Sequence, residues 1–224
     1  MITLHHLEYS QSFRVLWLLE ELGIEYELKK YDRDPKTLMA PEHYKAVSPL
    51  GTAPVITDGE IRLAETSAIM DYILDKHPDS NLRPETGAKE RLDYLFWSHA
   101  SQGSVMPLML MNSVFKILSM RVPFFLKIII SPVLKAASKG IIQPRMEKLL
   151  EQAEITLTQN KFFAGGNLSC ADILLSYPLE SANARGFVSD EHPKVKAWLV
   201  SIKQRPAFVR AKQLDDRESM LLPL

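Results

Sequence analysis

A short α/β region followed by an all-helical remainder is the fold class this sequence predicts. Three observations carry it. Residues 1–77 alternate strand-like and helix-like segments in the order β, α, β, then β, β, α. Residues 78–86 (Pro-Asp-Ser-Asn-Leu-Arg-Pro-Glu-Thr) have the composition of a linker. Beyond them no strand-like alternation bounded by turns remains, while apolar residues recur at helical spacing, as in Met146, Leu149, Leu150, Ala153 and Leu157. The division expected is therefore 1–77, a linker at 78–86, and a helical domain over 87–224 whose last residues, 213–224, form a loose tail.

Each element has its own reason. Residues 2–7 read as a strand. Residues 13–22 read as a helix, because Val15, Leu16, Leu19 and Leu22 fall on one face and Gly23 supplies a stop. Residues 26–31 read as a second strand, and 41–46 as a short helix in an irregular stretch. Pro54 lacks an N–H and fixes φ, so it belongs at the start of a strand, not inside one. Asp58-Gly59, between Val55-Ile56 and Ile61-Arg62-Leu63, signals a hairpin with a type I′ turn joining strands at 55–57 and 60–63. Thr66 opens a helix over 66–76. A parallel crossover followed by a hairpin gives a small four-stranded sheet with helices packed on it.

Composition excludes several classes of function. Lys plus Arg and Asp plus Glu both number 27, so no basic excess exists to hold nucleic acid. The single cysteine, Cys170, rules out a disulfide framework or a cysteine metal cluster within one chain and fits a reducing cytoplasm. His5 and His6 point to opposite faces of one strand, and the other histidines lack ligand spacing, so no metal is expected. The N-terminus has no signal-peptide pattern. The most apolar stretch, 104–142, is interrupted by Pro107, Pro123 and Pro132 and by Lys116, Arg121, Lys127 and Lys135, which leaves no run of membrane-spanning length. Those prolines and an expected core role make peripheral membrane association the least favoured reading.

Four places carry chemistry or capping. Pro54, with a cis Ala53–Pro54 bond, would leave Val55 to bond a peptide-like ligand; with a trans bond it simply begins an edge strand. Glu65-Thr66 either caps a helix or offers a carboxylate to an ammonium and a hydroxyl with free N–H groups to a carboxylate. Tyr9-Ser10-Gln11-Ser12 lies at the C-terminal end of the first strand, where ligands of α/β sheets sit. A hydroxyl there either caps the helix or donates to a thiolate. Stabilising a thiolate by one pKa unit is worth about 1.4 kcal/mol against a free value of about 8.5. Ser169 and Asp172 form the [ST]-x-x-[DE] capping box of a core helix, and Cys170 in its first turn packs as a small hydrophobe. Met106 and Met109, with Phe115, belong to the core or to an adaptable apolar pocket.

In this order and spacing the pieces resemble a cytosolic-type glutathione S-transferase over nearly the whole chain. They are Ser10-x-x-x-Arg14, Leu50-Gly51-Thr52-Ala53-Pro54-Val55, Glu65-Thr66-Ser67-Ala68-Ile69, Phe163-Ala164-Gly165-Gly166-Asn167-Leu168-Ser169-x-Ala171-Asp172, and Trp198 followed by Arg205-Pro206-Ala207. The resemblance implies a thioredoxin-like N-terminal domain, an all-helical C-terminal domain and usually a homodimer. It implies that Pro54 is cis, that the Val55 backbone meets the cysteinyl part of glutathione, and that Glu65 and Thr66 hold the γ-glutamyl end. Ser10 matches the thiolate-stabilising serine of the serine-type classes, with Ser12 and Tyr9 as alternatives. Lys36 and Lys45 stand as candidates for the glycine carboxylate.

The expected activity is attack of the glutathione thiolate on an apolar electrophile resting near Met106, Met109 and Phe115, in a cytoplasmic detoxifying enzyme that consumes glutathione and uses no metal. Two alternatives stay open: a glutathione-dependent peroxidase on the same site, and a non-catalytic glutathione-binding or interaction module, since fold does not fix function.

Overall fold

Strand β1 (Ile2–Leu7) is buried along its whole length, and the N-terminal sheet is built around it. The computed structural model describes residues 1–48 and 50–221 of the chain. The sheet has four strands in the order β2-β1-β3-β4. Strand β2 (Tyr26–Tyr31) runs parallel to β1, whereas β3 (Val55–Asp58) and β4 (Ile61–Ala64) complete it by antiparallel pairing. Full burial of β1 follows from its central place, with helices against the sheet. Helix α1 (Ser12–Leu22) packs on β1 and on α3 (Thr66–Lys76), and the short α2 (Glu42–Lys45) lies between β2 and β3 in sequence. Gly23, at φ 62°, ends α1 by donating its N–H to the Leu19 carbonyl.

The hairpin differs from expectation in its turn. Asp58 pairs with Ile61, so Gly59 and Glu60 are the central residues, and only Gly59 has positive φ (60°). That is the II′ pattern with glycine first, not I′. The Asp58 side chain is used elsewhere: it accepts from Tyr72 Oη at 2.8 Å, from Lys76 and from the N-terminal amine at 3.2 Å.

The chain divides into two compact units, cut differently from the sequence boundaries 1–77, 78–86 and 87–224. The first comprises, among the described residues, 1–88 together with 200–221. Helix α10 (Pro206–Asp215) packs along α1, with the Phe208 ring edge-on to Phe13 and Trp17 at 5.2 and 5.1 Å. Arg205 and Arg210 reach Glu21 and Glu20 of α1. The tail expected to begin at 213 is thus helical through Asp215, whose carboxylate is buried; residues 222–224 of that tail lie outside the described residues.

The second unit, Lys89–Leu199, is helical. Helix α4 (Arg91–Ala100) continues through a π turn at 101–105 into α5 (Met106–Arg121). A 3-10 turn (Phe124–Leu126) leads to α6 (Lys127–Ala137), which passes through a second π turn into α7 (Gln143–Gln159). Helices α8 (Cys170–Ala184) and α9 (Pro193–Lys203) follow, α9 crossing into the other unit at Val200. The capping box forms as the sequence predicts. Asp172, fully buried, accepts from the backbone N–H of Ser169 and Phe163 (both 2.9 Å), from Ser169 Oγ (2.8 Å) and from Trp198 Nε1 (3.1 Å). Burial pushes its pKa up, against the pull of those donors. Cys170 is buried.

Two expectations for the apolar stretch change here. Residues 104–134 are not a core segment: α5 buries only Leu108 and Met109, and neither the 3-10 turn nor α6 buries any residue. Of the interruptions, Pro107 and Lys116 do not break the helix, whereas Pro123 lies just past its end. Arg91–Arg121 is one continuous helix, long and apolar enough by length and composition to cross a membrane. Pro107 follows directly on the π turn at 101–105, where the regular i to i−4 ladder is already interrupted. Tyr94, Trp97, Ala100, Val105, Leu108 and Met109 tie this helix into the core of its unit.

Candidate active site

The C-terminal end of β1, the start of α1, the start of β3 and the N-terminus of α3 all belong to the first unit and meet at one end of its sheet. Arg14, buried in α1, reaches Gln11 Oε1 and, at 3.4 Å, Thr66 Oγ1; Thr66 Oγ1 lies 3.5 Å from Gln11 Oε1. These contacts fix the Glu65–Thr66 corner against the loop that carries Tyr9 and Ser10.

Ser10 sits just past β1 and is nearly buried. Its hydroxyl lies 2.6 Å from the Leu7 carbonyl, to which it donates, and 2.7 Å from Ser12 Oγ. The Ser12 N–H, at 3.2 Å, donates to Ser10 Oγ, while the N-cap position of α1 is Gln11, which makes no side-chain capping bond. Ser12 is fully buried, with Oγ 2.8 Å from His6 Nδ1 and 3.1 Å from the Leu7 carbonyl. His6 Nε2 in turn lies 2.8 Å from Asp215 Oδ1, both side chains being 2 % exposed.

Burial works against the Asp215 charge, but the hydrogen bonds and charges of His6 and Lys212 outweigh it and hold the carboxyl below its ordinary value. An ionised Asp215 accepts from His6 Nε2–H. His6 Nδ1 lies 2.8 Å from Ser12 Oγ, and Ser12 Oγ lies 2.7 Å from Ser10 Oγ, so the four side chains form one buried hydrogen-bonded chain. The chain Asp215–His6–Ser12–Ser10 lies behind the Ser10 hydroxyl. His5, on the opposite face of β1, lies 2.8 Å from Tyr31 Oη and 3.3 Å from Thr57 Oγ1, and burial lowers its pKa.

Tyr9 has a left-handed backbone, φ 50°, and its hydroxyl makes no hydrogen bond among the described residues. Arg33 clamps its loop. The Arg33 guanidinium donates to the carbonyls of Glu8 (2.9 Å), Tyr9 (3.4 Å) and Leu38 (2.9 Å), and its N–H donates to the Glu8 carboxylate. Glu65 also has positive φ, 73°, and its carboxylate is exposed at the N-terminus of α3. Each such non-glycine residue costs about 1 kcal/mol or more, and strain of this kind collects at functional sites.

The Ala53–Pro54 bond is cis, which sets aside the trans alternative. Val55 faces His5 on β1 and Ala64 on β4, so β3 is an interior strand and a ligand would meet its first residue, not an open edge. Ser48 Oγ and Tyr44 Oη both donate to the Thr52 carbonyl, at 2.7 and 3.0 Å, and steady the approach to Pro54. Lys45, exposed beside Gly51, pairs with Glu42 at 2.6 Å, and Lys36 is exposed.

The three apolar candidates separate. Met109 is buried in the core of the helical unit, Met106 is half-buried, and Phe115 lines an open cavity of about 330 Å³ between α5 and α6. Sequence reasoning missed His6 as a partner of Ser12, Asp215 and Arg33. His6 was weighed only as a metal ligand, and no spacing links position 6 to 215.

A four-stranded mixed sheet with this corner, joined in sequence to a helical unit, defines a thioredoxin-like N-terminal domain with a mostly helical C-terminal one. The family models for the glutathione S-transferase N-terminal and C-terminal domains match residues 10–76 and 115–206. Glutathione S-transferase 3 of Schizosaccharomyces pombe is 30% identical over 217 residues, which cover 96% of this chain and 89% of the relative. A solved glutathione S-transferase from Actinobacillus pleuropneumoniae is 32% identical with a TM-score of 0.74, covering 96% of this chain and 93% of that one. A sphingomonad glutathione S-transferase complexed with glutathione shares the fold (24% identity, TM-score 0.72, 96% and 98% covered). The chain belongs to the glutathione S-transferase family. It is a glutathione transferase, of a family whose members use glutathione as co-substrate.

Proposed function

We propose that this enzyme binds glutathione at the Ser10–Val55–Glu65 corner, holds its sulfur as a thiolate beside Ser10, and transfers it to an apolar electrophile. The observation that carries the reading is the Gln11–Arg14–Thr66 contact, which fixes the serine loop beside the N-terminus of α3. Glu65, exposed and anionic, takes the γ-glutamyl ammonium. The Thr66 hydroxyl and the α3 N-terminus take its carboxylate. Val55, next to cis-Pro54, offers its backbone to the cysteinyl residue.

The thiol proton leaves to solvent, and the sulfur forms a bond to an electrophilic carbon. The leaving group departs with the bonding electron pair, or, at an activated double bond, the π pair moves to the neighbouring carbon, which takes a proton from solvent. The protein contributes proximity and anion stabilisation. Met106 and Phe115 are the apolar residues left for the second substrate once Met109 is counted in the core. The lone buried thiol suits a cytoplasmic detoxifying enzyme. Leu92, Leu95 and Phe96, exposed on one face of α4, suit the homodimer usual in the family.

Following thiolate absorbance while glutathione is titrated in across pH tests this reading. The bound thiol should ionise well below its free value of about 8.5. Ser10→Ala should lower kcat by about a hundredfold with glutathione affinity within about twofold. An unchanged kcat would move the role to Tyr9, whose hydroxyl is open, or to Ser12. Glu65→Ala should weaken glutathione binding about tenfold in calorimetry, the scale of one charge-assisted contact; equal affinity would remove the γ-glutamyl assignment. A bound but unshifted thiol would instead favour the binding-module reading.

A further inference from the structure

The apolar surface of the helical unit is concentrated at the turn between α5 and α6. Phe124 is 84 % exposed, Ile128 82 %, Ile129 66 %, Phe125 63 % and Met120 60 %. Nothing of the turn or of α6 is buried. Residues 112, 115, 116 and 119 face 131, 134, 135 and 138 across the small cavity, so α5 and α6 form an antiparallel hairpin with this turn at its tip. Contiguous exposed apolar surface on this scale marks an interaction site.

The charges around the tip choose the partner. Between Asp93 and Glu147 the chain has no acidic residue at all, while Lys116, Arg121, Lys127, Lys135, Lys139 and Arg145 fall within it. The overall neutrality of the protein hides this one-sided distribution. All six cations are exposed. Arg121 and Lys127 bracket the tip itself, and Lys116 and Lys135 lie about one and a half and two turns up the hairpin by helical pitch.

We infer that this tip is a docking surface for an anionic phospholipid membrane. Phe124, Phe125, Ile128 and Ile129 enter the boundary between headgroups and acyl chains, about 5–10 Å deep, while Arg121 and Lys127 meet lipid phosphates. Long cationic side chains keep their heads at the phosphate level when their stems are buried. Two-fold pairing of tips would set like charges against each other without a carboxylate to relieve them. The apolar face of α4 differs: Leu92 and Phe96 lie in sequence among Lys89, Glu90, Arg91 and Asp93, a balanced set of charges that gives no pull toward an anionic bilayer.

Vesicle flotation with the full-length protein tests this. The wild type should float with vesicles of phosphatidylcholine and phosphatidylserine, several-fold less with phosphatidylcholine alone, and raised salt should weaken the first. Phe124→Ser with Phe125→Ser should reduce partitioning at least about tenfold. Arg121→Glu with Lys127→Glu should abolish the preference for phosphatidylserine, each cation being worth about fivefold. Thermal unfolding and transferase activity should be unchanged in both variants, since these residues are exposed and outside the candidate site. Failure of the wild type to float, or equal flotation of the phenylalanine variant, would overturn the inference. So would a wild-type dimer that the phenylalanine change turns monomeric in light scattering while no vesicle is bound, because the tip would then be covered by a second copy.

Discussion

Helices α1 and α6 are each 11 residues long and both are apolar, yet α1 buries Ser12 through Leu19 without a break and α6 buries nothing. Coverage, not composition, separates them. Helix α1 lies on β1 and against α3, and its remaining side is taken by α10, brought back from the end of the chain. Among the described residues, the main neighbours of helix α6 are α5 and the flanking turns. An apolar helical pattern therefore says that a face is wanted by something apolar, but not whether this chain supplies it.

The largest expected effect comes from truncating one residue in each helix. Leu16→Ala, at a fully buried position, should cost about 3 kcal/mol in urea unfolding; Ile128→Ala, 82 % exposed, should stay within about 0.5 kcal/mol. A comparable loss for Ile128→Ala, growing with protein concentration, would break the comparison by showing that another copy covers α6.

The coverage of α1 by α10 is itself testable through its buried anchor. Asp215→Asn keeps the shape but removes the charge that His6 Nε2–H meets at 2.8 Å, and should cost about 2 kcal/mol. A purely structural anchor would leave the pH profile of kcat in place. If the chain through Ser12 orients the Ser10 hydroxyl, the variant should shift that profile while leaving KM for glutathione within about twofold. An unshifted profile would confine His6 and Asp215 to holding α10.

Much of this was legible beforehand because local physics dominates there. Strands β1 and β2, the stop at Gly23, helix α3 and the Ser169–Asp172 capping box were readable from periodicity and capping chemistry, which act over a few residues. The I′ expectation for the turn failed because it rested on the Asp-Gly pair, whereas the register makes Asp58 the last strand residue. Long-range closure was not legible. Nothing near position 215 announces a partner at position 6, and Arg33 reads as an ordinary surface cation until its loop folds under it. The exposure of 104–134 was misjudged for the same reason: hydropathy records the demand for cover, and cover is a property of the whole fold. For the candidate site, the motif residues Ser10, Pro54, Val55, Glu65 and Thr66 were all nameable, but the buried chain behind Ser10 was not.

The smallest expected effect belongs to the rim of the sheet. If coverage is what holds the first unit together, a polar tie at the edge adds little, however well formed. Asp58 joins the hairpin to α3 through Tyr72 and Lys76, and the Lys76 and Tyr72 hydrogen bonds lower its pKa to about 2. A carboxyl depressed in the folded state stabilises the fold above its unfolded value of about 3.9 and loses that contribution as pH falls through about 2. Asp58→Asn should therefore lower stability at pH 7 by under about 1 kcal/mol, because Lys76 is half exposed and solvent screens the pair. The difference from wild type in thermal melts should shrink as pH is lowered from about 4 and vanish near pH 2. A gap that stayed constant across that range would mean that Asp58 acts through shape and the hairpin register instead of through its charge.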